Sequence, residues 1–108
     1  MMPSNIINEL QELTQTSRKG VEALFEAESD LAQKEHELDT VEAQAFLNSE
    51  GTVADRQALA RLEAADARLE RDLSKAKLNR IKTKLRVIES AIMAQGTMSK
   101  IMQAEMKL

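Results

Sequence analysis

Cysteine, tryptophan and tyrosine are absent from this chain, and its aromatic side chains are limited to Phe25 and Phe46. No disulfide framework, thiolate metal site or cysteine nucleophile is available to it. The missing thiols fit a reducing cytosol. Proline occurs once, at position 3, and glycine three times, so the chain has little turn chemistry and long helices are expected. His36 is the only histidine, and it falls on the outer side of its helix without ligand partners at metal-binding spacing. The Glu-x-x-His pair of carboxylate bundles, the glycine-rich phosphate loop and the nucleophile elbow are all missing. The sequence therefore predicts a non-enzymatic protein with no cofactor and no metal. The longest uncharged stretch, Ser90–Ser99, falls far below the ~20 apolar residues that span a bilayer. The first eight residues lack a basic region and a long apolar run, so neither a signal peptide nor a membrane partner is expected.

What remains is a chain of 108 residues, 43% hydrophobic and 31% charged, the balance of a single helical domain rather than of a disordered segment. Apolar and small residues recur at alternate spacings of three and four through Ile6, Leu10, Leu13, Ser17, Gly20, Leu24, Ala27, Leu31, Lys34, Leu38, Val41 and Ala45. This is a sustained heptad, the stripe of a long helix facing a partner helix. Asn48-Ser49-Glu50-Gly51-Thr52 interrupts it. Gly51 suits the left-handed position that ends a helix, Thr52 suits the N-cap of the next, and Asp55 completes a variant capping box. A second heptad follows in Leu59, Leu62, Leu69, Leu73, Ala76, Thr83 and Val87.

Folding the two heptads about Gly51 places Leu38 on Leu62, Leu31 on Leu69 and the charged Lys34 on Asp66. A polar pair of this kind fixes register, because each polar residue in an apolar seam needs a polar partner. The predicted fold is an all-α antiparallel helical hairpin, a coiled coil with helix 1 about 5–48, a turn at 49–52 and helix 2 about 53–95. Gly96 and Thr97 are expected to break or kink helix 2, leaving a short C-terminal helix over about 97–107. A further apolar row, Leu78, Ile81, Leu85, Ile88 and Ile92, lies off the second heptad, as Val21 and Phe25 lie off the first. One partner helix cannot cover both rows. These seven residues are expected to form a dimer interface, two hairpins building a four-helix bundle.

Charge is unevenly distributed although the net charge is only -3. Between Val21 and Glu50, nine acids stand against Lys34 alone; between Leu73 and Ile88, six bases stand with no acid. Glu28, Asp30, Glu35, Glu37, Asp39 and Glu42 form an acidic outer face suited to a basic protein partner. Arg18, Lys19, Arg80, Lys82, Lys84 and Arg86 form a candidate nucleic-acid patch, although no aromatic accompanies them to stack on bases. Solvated surface and ion pairing between subunits is the plainer account of that patch. The expected function is thus a protein-interaction module acting as a homodimer, with nucleic-acid binding or a structural coiled-coil role as alternatives.

The stretch from Ala45 to Arg56 (Ala-Phe-Leu-Asn-Ser-Glu-Gly-Thr-Val-Ala-Asp-Arg), followed by a charged Ala/Leu/Arg helix and an apolar end, resembles small helical-hairpin accessory proteins of tailed bacteriophages. The resemblance implies a protein acting by binding in the cytoplasm of a bacterial host cell, for instance on a replication, recombination or nuclease protein. It assigns no functional residue.

Overall fold

The computed structural model describes residues 3–106. They form three helices, α1 (Pro3–Asn48), α2 (Val53–Glu63) and α3 (Ala65–Met106), with no strand among the described residues. The chain divides into two compact units, one spanning Phe25–Asn79 and the other combining the chain up to Leu24 with the chain from Arg80 onward.

The Phe25–Asn79 unit is a helical hairpin. Gly51 carries the turn with φ of 114°, a left-handed conformation that L side chains resist. Thr52 caps α2 by accepting a hydrogen bond from the Asp55 amide at 3.2 Å. At the tip, the Phe46 carbonyl accepts from Arg56 Nε at 3.2 Å, Arg56 Nη2 at 3.0 Å and Ser49 Oγ at 3.0 Å. The same guanidinium lies 4.2 Å from the centre of the Phe46 ring. Arg56 thus satisfies a carbonyl at the end of α1 and covers its largest tip side chain. Further along, Glu42 pairs with Arg68, Lys34 with Glu70 at 3.5 Å, and the Ser74 hydroxyl donates to Asp30 at 2.6 Å. Partner numbers fall on α1 as they rise on the second arm, so the helices run antiparallel. The α2–α3 junction falls at Ala64, fully buried, whose amide still bonds the Ala60 carbonyl at 3.0 Å.

The other unit pairs the first part of α1 with the later part of α3, also antiparallel. Leu85, buried, lies over Gly20, and Ile81 and Ile88 are half-buried beside it. Gln95 Nε2 donates to Glu9 at 2.6 Å, and Ile6 is fully buried. Contrary to the expected break, α3 runs through Gly96 to Met106. A helical glycine costs only about 1 kcal/mol against alanine. The Thr97 hydroxyl donates to the Met93 carbonyl at 3.0 Å, an ordinary back-bond of a continuing helix. Lys107, the last residue of the expected C-terminal helix, lies outside the described residues.

Every member of the α1 stripe, from Ile6 to Ala45, is buried or half-buried as its heptad requires. The second arm differs. Leu59, Leu62, Leu69, Leu73, Ala76, Thr83 and Val87, expected against α1, are all exposed. Buried in their place are Ala60, Ala64, Ser74, Leu78 and Leu85. The register moves with the face: Lys34 meets Glu70, four residues beyond the expected Asp66. Leu69 and Leu78, nine residues apart at ~100° each, point to opposite sides of α3. Only one of those sides can face α1.

Candidate interaction surfaces

The apolar row expected between two copies is largely covered within one chain, Leu78 in the Phe25–Asn79 unit and the rest in the other unit. Leu78 and Leu85 are buried, and Ile81, Ile88 and Ile92 are half-buried. Val21 and Phe25 stay exposed, at 57% and 70%.

Within the Phe25–Asn79 unit the second arm is inside out by side-chain size. Its inward positions hold Ala60, Ala64, Ala67 and Ser74, while Leu59, Leu62, Leu69 and Leu73 are 43%, 72%, 58% and 62% exposed. Burying a leucine is worth about 1.5–3 kcal/mol, and this row leaves most of that unrealised. Its spacing is that of a coiled-coil seam lacking a second helix. The heptad was legible in the sequence; its outward direction was not.

The acidic face of α1 is partly consumed inside the hairpin. Asp30 accepts from Ser74, Glu37 lies 3.7 Å from Lys34, and Glu42 pairs with Arg68. Glu28, Glu35 and Asp39 are exposed, with no ion pair assigned to them among the described residues. Lys34 is held by two carboxylates, and its pKa is raised above 10.5 chiefly by Glu37 and then by Glu70, against a smaller desolvation effect. His36 is exposed, its carbonyl accepting from Thr40.

The basic residues Arg18, Lys19, Arg80, Lys82, Lys84 and Arg86 are all exposed. Lys19 and Lys84 line one groove, floored by Gly20, Ala23, Ile81, Leu85 and Ile88. Arg18 lines a different one, with Ile7, Leu10 and Thr14. Lys19 and Lys84 thus share a groove that Arg18 does not line. None of the six enters an ion pair assigned among the described residues. No group of three or more potential metal-ligating side chains converges among the described residues, and no helix among them is long and apolar enough to cross a membrane.

No known protein family, characterised protein or solved structure matches this chain. The surfaces stand on their own chemistry.

Proposed function

We propose that this protein is a non-enzymatic interaction module that works by helix-on-helix docking. One observation carries the reading: the Phe25–Asn79 hairpin turns alanines inward and the leucine row Leu59, Leu62, Leu69 and Leu73 outward. An exposed leucine row at heptad spacing, interrupted by Asp66, marks a docking surface, since such leucines gain only by meeting another helix. The outward carboxylates Glu28, Glu35 and Asp39 supply charge selection for a basic partner. The resemblance to phage accessory hairpins fits the same reading, with a host or phage replication, recombination or nuclease protein as target in the bacterial cytoplasm.

The test is capture from host-cell extract by the full chain and by a Leu69→Glu, Leu73→Glu double variant. Lost capture at unchanged helicity is expected; undiminished capture removes the leucine row from the function.

Nucleic-acid binding is the second reading, favoured by Lys19 and Lys84 at one groove with no acid partner assigned among the described residues. It requires binding of duplex or single-stranded DNA that weakens steeply with salt. Salt-insensitive or undetectable binding leaves the protein-docking reading alone.

A further inference from the structure

We propose that the groove between the first part of α1 and the later part of α3 binds a single-chain amphiphile with an anionic head, a free fatty-acid carboxylate. The groove holds about 320 Å³ within one unit of the chain, and small-molecule sites begin at about that size, ~300 Å³. Its floor is apolar, with Gly20 and Ala23 from α1 and Ile81, Leu85 and Ile88 from α3. Leu85 seats over Gly20, Ala23 adds only a methyl group, and Ile81 and Ile88 remain half-buried on the groove wall. The lining runs from Thr16 to Ala23, about 10 Å along α1. That length limits the occupant to a chain of medium size.

Charge sets the head group. The ionic side chains of the groove are two cations, Lys19 from α1 and Lys84 from α3, with no carboxylate in the lining. Neither enters an ion pair assigned among the described residues. Within one turn of Lys84, α3 carries Arg80 and Arg86 and no acid. Glu22, one turn from Lys19, does not line the groove. The Thr16 hydroxyl already donates to the Glu12 carbonyl at 2.9 Å, so the lysines are the side-chain donors left for an anion. Lysine stems lie along apolar surface while their ammonium groups reach out of it. An alkyl chain on the floor with its carboxylate between the two ammonium groups uses both features of the groove at once. A nucleic-acid strand would use the cations and leave the floor uncovered, with no aromatic side chain in the lining to stack on its bases. The groove shares no residue with the leucine row, so this inference goes beyond the docking reading and stands or falls apart from it.

The experiment is titration calorimetry of the full chain with decanoate below its micelle-forming concentration. One decanoate per chain is expected. Hexanoate should bind at least tenfold more weakly, because it leaves part of the floor uncovered. Decyltrimethylammonium, with the same chain and the opposite charge, should also bind at least tenfold more weakly. Lys19→Gln with Lys84→Gln should remove the preference for the anion at unchanged helicity. Ala23→Phe should fill the groove and weaken decanoate binding. The Leu69→Glu, Leu73→Glu variant should bind decanoate unchanged; loss of binding there moves the amphiphile to the leucine row and overturns the groove. Undetectable decanoate binding overturns the inference, as does uptake of several decanoates per chain indifferent to both lysines, or equal affinity for the cationic amphiphile. Adsorption to phosphatidylglycerol vesicles without uptake of free decanoate overturns it in favour of a lipid surface, and binding of duplex DNA without uptake of decanoate overturns it in favour of phosphate.

Discussion

Leu85 lies so close over Gly20 that a Cβ at the glycine would clash with Leu85 Cδ2. Leu85 is buried, so moving it aside disturbs the packing around Ile81 and Ile88. Gly96, by contrast, has nothing within 4 Å of the equivalent position. Both glycines are helical. Gly96→Ala should therefore raise stability by about 0.5–1 kcal/mol, the usual helix gain. Gly20→Ala should show no such gain and should lower stability if Leu85 cannot rotate away. Urea unfolding midpoints of the two variants make the comparison.

Arg56 holds the tip. Replacing it with alanine removes the bonds to the Phe46 carbonyl and the contact with the Phe46 ring. A loss of about 1–3 kcal/mol is expected in thermal unfolding. Lysine should recover less than half of it, since an ammonium cannot present the planar fork that both donates to a carbonyl and covers a ring.

Lys34 makes stability depend on alkaline pH. Its folded-state pKa is raised above 10.5 by Glu37 and Glu70, so its contribution is fully present below that value. It is lost as pH rises through the higher folded-state pKa. The unfolding midpoint should accordingly fall more steeply above pH 10.5 in the native chain than in Lys34→Met. Parallel alkaline profiles for the two would show that the pair contributes nothing on folding.

Ala64 tests which side of the second arm faces α1. It is fully buried, and Ala64→Leu forces a large side chain into that seam. A cost of about 1–3 kcal/mol is expected from overpacking. Leu62→Gln, at a side chain 72% exposed, should leave helicity intact. The reverse pattern, tolerance at Ala64 and unfolding at Leu62, would mean that the leucines face inward.

Much of this architecture follows from local chemistry. The α1 stripe is a single heptad with no competitor on its helix, so Ile6 through Ala45 could only be its inner face. Gly51 and Thr52 mark the turn because a positive φ favours glycine and a helix start needs a side-chain acceptor for its free amides. The second arm is different in kind. It carries two apolar stripes on different sides, Leu62–Leu69–Leu73 and Leu78–Ile81–Leu85, and periodicity ranks neither above the other. Each helix of that arm can offer only one side to α1. The tertiary structure offers the side that fits Leu85 over Gly20 and gives Ser74 the carboxylate of Asp30, which places Ala60 and Ala64 inward. The register, the partner of Lys34 and the exposure of the leucine row all follow from that choice between faces, because contacts across a seam depend on both helices and not on the period of either.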